Sequence, residues 1–276
     1  MSALNEKYAR LLALLREMGS AALAFSGGVD STLLLRAARD ALGENCAAVT
    51  VRSVFFPERE AEAAEALCRE LGAEQIVLDA DVLDVPGVAS NPPERCYLCK
   101  RAILGLVCET AKARGFHSAA EGSNLDDTDD FRPGARAIRE LGVRSPLRKA
   151  GLTKAEIRAI SRELGLPTAD KPAMACLATR FPVGETLTPE GLLRVEAAED
   201  VLTELGLTQK RVRVHGDLAR IEALPEELPL LTERAGEADA RLRALGFRYV
   251  AADLGGYRMG SMNRSQGEKE DTYINI

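Results

Sequence analysis

A chain that runs from a short apolar strand into two adjacent glycines and then into a helix has few folds open to it. Here Ala21-Ala22-Leu23-Ala24-Phe25 leads into Ser26-Gly27-Gly28-Val29-Asp30-Ser31, and Thr32-Leu33-Leu34-Leu35-Arg36-Ala37-Ala38 continues as a helical pattern. Paired glycines tolerate positive φ and let the backbone approach a ligand closely. The loop amides and the helix N-terminus then converge on an anion, with the Ser26 and Ser31 hydroxyls as further donors. Phosphate would repel Asp30 unless that carboxylate holds a Mg²⁺ ion bridging to the phosphates. The six-residue string, placed after a strand and before a helix, predicts nucleotide binding. It has neither the Gly-Lys-Ser/Thr of a Walker loop nor the third glycine of a dinucleotide fingerprint.

The surrounding order points to an α/β fold. An amphipathic helix over 4–18 precedes the first strand, and helix 31–42 is closed by Gly43. Strand 47–52, helix 58–71 between Pro57 and Gly72, and strand 75–79 follow. Such alternation with short connections predicts a parallel sheet with helices on both faces. Ligands then bind beyond the carboxyl ends of the strands, where Arg52 would form part of a wall for the adenine. A long loop over 80–95 breaks the pattern and ends in Arg95-Cys96-Tyr97-Leu98-Cys99-Lys100, entering a helix over 100–114. Strand 116–120 opens a second glycine turn, Glu121-Gly122-Ser123-Asn124-Leu125-Asp126-Asp127, followed by Asp129, Asp130 and Arg132-Pro133-Gly134. Its position at the ligand-binding edge assigns Gly122, Asp126 and Arg132 a role near ATP or its Mg²⁺. A short fifth strand is expected at 143–145, and Thr153 with Glu156 forms a capping box opening helix 154–164.

Residues 171–184 mix polar and apolar side chains without a period, and their Cys176 and Arg180 favour a site over a linker. Beyond them the pattern changes. Helix 189–205, strands 211–215 and 218–222 about a Gly216-Asp217 turn, helix 232–245 and strand 247–253 describe a small α+β unit with an antiparallel sheet. The expected domains are therefore 1–184 and 185–276.

Charge and cysteine usage narrow the function. A net charge of −6 and a pI near 5.3 argue against a broadly basic nucleic-acid surface. No apolar run approaches the roughly 20 residues of a membrane span, and residues 1–16 contain nothing like a secretory apolar core. The expectation is a cytoplasmic protein. Cys46, Cys68 and Cys108 sit in strand or helix patterns and read as small buried residues. Cys96 and Cys99 are spaced so that both thiolates can face one metal, and Cys176 could return to the same sheet edge. Three thiolates suit a 4Fe–4S cluster with one open iron. They leave zinc one ligand short unless His117 supplies it, and a redox pair is the other use of Cys-x-x-Cys.

The glycine string resembles the pyrophosphate loop of the PP-loop ATP pyrophosphatases, which implies cleavage of ATP between the α and β phosphates and transfer of AMP to a substrate oxygen. From end to end the chain is similar to the LarE family. The resemblance rests on Ser26–Ser31, the Glu121–Asp130 turn with Arg132-Pro133-Gly134, and Cys176 through Arg180-Phe181-Pro182-Val183-Gly184. It continues through Glu196-Ala197-Ala198-Glu199, Val212-Arg213-Val214, Ala219-Arg220-Ile221-Glu222, Leu245-Gly246-Phe247-Arg248-Tyr249-Val250 and Asp253-Leu254-Gly255-Gly256. It implies adenylation of the carboxylates of pyridinium-3,5-biscarboxylic acid mononucleotide by ATP and Mg²⁺, replacement of oxygen by sulfur, and passage of the product to a nickel-inserting protein. A homo-oligomer is implied as well.

In one branch of that family the cysteine matching Cys176 gives up its own sulfur. In the other, three cysteines hold a 4Fe–4S cluster carrying an extra sulfide, and Cys96 and Cys99 beside Cys176 place the chain with that branch. Ser26, Gly27, Gly28, Asp30 and Ser31 would hold ATP and Mg²⁺, and Arg180 the substrate phosphate or the charge developing during adenylation. Arg213 and Arg220 would bind phosphate or form a solvated strand face. Glu199 and Glu222 match acidic positions where a metal or a subunit contact is expected. The rival readings are a PP-loop tRNA thiolase, an ammonia-using amidotransferase and a nucleotide-sensing protein with structural zinc.

Overall fold

The computed structural model describes residues 3–128, 134–258 and 262, and the chain divides into two compact units, Met1–Cys176 and Leu177–Ile276. The second unit thus takes in the Arg180 segment, which the sequence reading assigned to the first.

In the first unit the order is α1 (Ala3–Met18), β1 (Ala21–Ala24), α2 (Val29–Leu42), β2 (Cys46–Arg52), α3 (Glu58–Glu70), β3 (Glu74–Asp79), α4 (Arg95–Ala113) and β4 (Ser118–Ala120). Three shorter pieces, α5 (Gly134–Glu140), α6 (Pro146–Lys149) and α7 (Lys154–Glu163), complete it. Among the described residues the strands form one parallel sheet in the order β3-β2-β1-β4. The period of two along a strand sends alternate side chains to opposite faces. Ala21 and Leu23, with Cys46 and Ala48, join Leu11, Leu15, Leu34 and Ile157 on one side. Ala22, Val49 and Ala119 meet Leu104, Val107 and Ile138 on the other. Each buried leucine or isoleucine contributes about 1.5–3 kcal/mol, and alanines in β1 leave room for helices on both faces. Because β1 lies between β2 and β4, the strand order reverses there, and a crevice opens beyond the carboxyl ends of β1 and β4.

Several expectations need correction. The helix carrying the Cys-x-x-Cys pair starts at Arg95, after Pro92-Pro93 and the N-cap Glu94, so both cysteines lie on its first turns and not on the preceding loop. Its first amide reaches the Pro92 carbonyl at 2.9 Å. The strand expected at 143–145 is a single bridge between Ala120 and Arg144, because Pro146 follows at once and has no N–H for a ladder. The expected strand 247–253 is shorter, and its pairing differs.

The second unit holds α8 (Pro189–Glu204), β5 (Lys210–His215), β6 (Leu218–Ala223), α9 (Leu228–Glu233), α10 (Ala235–Ala244) and β7 (Tyr249–Ala252). The one helix expected over 232–245 is two, parted at Arg234. β5 and β6 form the expected hairpin, but β7 pairs parallel to β6. A tight turn can only return a strand antiparallel, whereas a connection through two helices crosses over and lays β7 parallel. No helix among the described residues is long and apolar enough to cross a membrane.

The capping box at α7 is fully formed. The Thr153 hydroxyl accepts from the Glu156 amide at 3.3 Å, and the Glu156 carboxylate accepts from the Thr153 amide at 2.9 Å. Glu156 also pairs with Lys7 of α1 at 2.7 Å. Thr153→Ala is expected to cost about 1 kcal/mol, read as a lower urea midpoint with an unchanged slope.

Candidate active site

The glycine turn between β1 and α2 is built by close backbone approach. Gly27 has φ +67°, and a Cβ there would lie 3.3 Å from Cα of Ala64 on α3. Gly28 precedes α2 without any side-chain cap, so the first amides of the helix have no side-chain acceptor. The Ser26 and Ser31 hydroxyls stand 3.3 Å apart, and Ser31 donates to the Gly28 carbonyl at 3.1 Å. From the other side the turn after β4 closes in, where a Cβ on Gly122 would lie 3.2 Å from the Ser31 amide nitrogen. Two glycine turns from neighbouring strands thus meet at the N-terminus of α2, a geometry suited to an anion.

Asp30 is half-buried and already has cationic company. Lys154, the first residue of α7, pairs with its carboxylate, and the Asn124 amide donates to it at 3.4 Å. Asp126 accepts from the Lys154 backbone amide at 2.8 Å, and Asp127 from the Asn124 amide at 2.9 Å. The acidic turn is therefore tied to α7. Lys171 reaches the Gly27 carbonyl at 3.1 Å and Glu60 of α3 at 2.7 Å. Sequence reasoning passed over Lys154 and Lys171. The signals were a lysine directly after a capping residue, and another opening the aperiodic stretch before Cys176.

Arg52 differs from its expected place. It is exposed at the end of β2 and ion-paired with Asp79 of β3 at 2.9 Å, and its hydrogen bonds hold the Asp79 carboxyl below the usual range. That pairing ties the end of β2 to the end of β3. Arg132 lies outside the described residues.

The three distinctive cysteines are brought together. Burial pushes the Cys99 thiol up to about 12, and the neighbouring Cys176 and Cys96 add to the rise. Cys96 is exposed, Cys99 and Cys176 are half-buried, and the buried Arg95 donates to the Cys96 sulfur at 3.6 Å. Three thiols within electrostatic reach are donors of the kind that iron and zinc take. Among the described residues, however, no three His, Cys, Asp or Glu side chains stand close enough to hold a metal ion. The His117 ring instead meets the Ser20 hydroxyl at 2.9 Å. Lys100, next to Cys99, pairs with buried Glu121 at 3.2 Å, which links the thiol helix to the second glycine turn. Cys46 and Cys68 are buried in the core as expected, while Cys108 is half-buried.

In the second unit the expected phosphate-binding arginines are internal. Arg180 is fully buried, and its guanidinium grips Glu199 at 2.8 and 2.9 Å. Burial pushes the Glu199 carboxyl up, but the Arg180 bonds outweigh it and hold the group below the usual range. Arg213 is buried against Glu222 at 2.8 Å and donates to the Thr179 carbonyl. Arg220 pairs with Glu222 at 3.2 Å and with Asp253. Neither strand arginine forms a solvated face. Glu199 and Glu222, expected as metal ligands, receive guanidinium groups here.

A four-stranded parallel sheet in this order, with a Ser-Gly-Gly-Val-Asp-Ser turn after β1, defines a PP-loop protein. Residues 20–90 match the family model described as queuosine biosynthesis protein QueC. Over 95% of its length the chain is 41% identical to an uncharacterized protein of Synechocystis sp., covering 98% of it. Over 95% it is 39% identical to the pyridinium-3,5-bisthiocarboxylic acid mononucleotide synthase of Lactiplantibacillus plantarum, covering 96% of that protein. A partial match, 31% identical over 54% of the chain, links it to 38% of the argininosuccinate synthase of Haloarcula marismortui. The chain belongs to the LarE family, that of the Lactiplantibacillus synthase.

The Arg180–Glu199 pair gives a stability test. Arg180→Met strands a buried carboxylate and is expected to cost about 3–5 kcal/mol, most of it recovered when Glu199→Leu is added. Urea unfolding of both variants measures this, and a double variant no more stable than the single would exclude the stranded charge as the cause.

Proposed function

We propose that the protein is an ATP-dependent sulfur transferase acting on pyridinium-3,5-biscarboxylic acid mononucleotide. One observation carries the reading: an anion-binding glycine turn and three mutually interacting thiols occur in one compact unit, in a chain 39% identical to a bisthiocarboxylate synthase. A mononucleotide with two carboxylates offers an oxygen nucleophile, and adenylation makes that oxygen a leaving group for sulfur.

In this reading the amides at the start of α2 and the hydroxyls of Ser26 and Ser31 hold the ATP phosphates. Gly27, Gly28 and Gly122 let the backbones come close enough for that. Asp30 holds Mg²⁺, which supplies charge neutralisation along the triphosphate when bound. A substrate carboxylate oxygen attacks the α-phosphorus, the α–β bridging bond breaks, and pyrophosphate leaves. Lys154 and Lys171 supply positive charge beside that departure. A sulfur nucleophile then adds to the acyl carbon and AMP departs, leaving a thiocarboxylate. Repetition at the second carboxylate gives the bisthiocarboxylate for a nickel-inserting partner.

Cys96, Cys99 and Cys176 would hold a 4Fe–4S cluster, whose open iron supplies a site for a transferable sulfide. Binding there requires the thiols to close further and to lose their protons. In place of a role at substrate, Arg180, Arg213 and Arg220 order the second unit through Glu199, Glu222 and Asp253. The protein works in the cytoplasm as a homo-oligomer, without nucleic acid or membrane.

Two experiments test the reading. With ATP, Mg²⁺ and the pyridinium dicarboxylate, wild type is expected to form AMP and pyrophosphate. Gly122→Ala, which drives a methyl against the Ser31 amide, should lower ATP affinity at least about tenfold, equivalent to the loss of one good hydrogen bond. Formation of ADP would overturn the adenylation step. Anaerobically purified protein is expected to carry about four irons with acid-labile sulfide, lost in Cys96→Ser and in Cys176→Ala. Iron-free protein whose Cys176 becomes dehydroalanine on turnover would replace the cluster with a single-use cysteine donor.

A further inference from the structure

A cavity of about 470 Å³ lies in the first unit and is lined by Leu14 and Met18 of α1 and by Arg144, Ser145, Pro146, Arg148 and Lys149. That volume is in the range of small-molecule pockets. Exposed arginines elsewhere, such as Arg36, Arg52, Arg114, Arg136 and Arg162, each hold a carboxylate. Among the described residues, Arg144, Arg148 and Lys149 have no acidic partner, and no acidic side chain lines the cavity. Three cations without an ion pair around one hollow, in a chain of net charge −6, favour an anion there, the nearest carboxylate on the page being Glu121 behind Ser145.

Apart from Ser145, the rest of the lining is apolar. Leu14 and Met18 are one helical turn apart and share a face of α1, and Pro146 faces the same hollow. Cations at one part of a cavity and an apolar floor at another suit a ligand with an anionic group on a flat body. We propose that this cavity binds a small phosphorylated ring compound, its phosphate held by Arg144, Arg148 and Lys149 and its ring laid against Leu14, Met18 and Pro146.

The site is wired to the glycine turns. Arg148 donates to the Ser145 hydroxyl at 3.4 Å, and that hydroxyl donates to Glu121 at 2.5 Å. The Arg148 amide also donates to the Ser123 carbonyl at 3.1 Å. Glu121 and Ser123 flank Gly122, which abuts the start of α2. A phosphate that draws Arg148 away from Ser145 therefore loosens one of the bonds fixing the second glycine turn. The binding site stands apart from the proposed chemistry, and its test reads binding alone.

The test is calorimetric titration of the full chain with nicotinic acid mononucleotide and, separately, with inorganic phosphate. Both are repeated in excess α,β-methylene ATP, which competes for the glycine-turn crevice. Arg144→Ala/Lys149→Ala removes two exposed cationic side chains and leaves their backbone bonds in place, so folding is expected to be unchanged by circular dichroism. The mononucleotide should bind with the ATP analogue present, and at least about tenfold more weakly to the double variant, as expected for lost charge-assisted contacts. Met18→Glu, which puts a carboxylate on the floor, should weaken it as well. Displacement by the ATP analogue, equal affinity in the double variant, or no binding at all would overturn the proposal. Phosphate binding as tightly as the mononucleotide would overturn it too, since the apolar floor would then contribute nothing.

Discussion

The first unit depends on how closely three backbone segments approach at the start of α2. Gly27 lies against Ala64 of α3, and Gly122 lies against the Ser31 amide. Positive φ at Gly27 would cost a residue with a side chain about 1–2 kcal/mol before any clash is counted. What this achieves is a helix N-terminus whose amides face the crevice. Everything else in the unit serves to hold those segments in register. The alanine-rich β1 is narrow enough to be covered on both faces, and Lys171 clamps Gly27 to α3 through Glu60.

The second unit solves a different problem. Among the described residues it buries six charged side chains, Arg180, Glu199, Lys210, Arg211, Arg213 and Glu222, in a small α+β body. Each buried charge costs several kcal/mol in lost hydration, which only bidentate partners and further hydrogen bonds offset. Glu199 shows how this is done: besides Arg180 it accepts from the Val212 amide at 3.1 Å, so one carboxylate joins the Arg180 segment, α8 and β5. Apolar side chains in their place would be cheaper to bury but would not fix orientation. Directional bonds of this kind dictate which side of β5 faces the Arg180 segment.

The parts of this arrangement that were legible in the sequence are those set by local chemistry. The Gly-Gly turn, the Thr153–Glu156 box and the β5–β6 hairpin are each dictated by residues within six positions of one another, and each occurs as read. The parts that local chemistry does not announce depend on distant partners. Arg180 and Arg213 look like ligand-binding arginines in a string of letters, because nothing local announces that Glu199 and Glu222 meet them. β7 looked antiparallel because its pairing is decided by the path through α9 and α10. The start of α4 was missed because Pro92-Pro93 reads as loop, although proline is tolerated just ahead of a helix.

The Lys154–Asp30 pair shows why local reading and tertiary geometry must be joined at the candidate site. Asp30 was singled out as an isolated carboxylate needing a cation, and the cation beside it is a lysine 124 residues away. Half-buried, the pair is less screened than a surface contact, so a divalent ion arriving at Asp30 competes with an ammonium already in place. In the proposed reaction that competition keeps charge in balance. Were Mg²⁺ to take the carboxylate, Lys154 would be left with its positive charge and without its Asp30 partner. That ammonium would be one more cation available as pyrophosphate leaves, the moment at which negative charge at the leaving group is greatest.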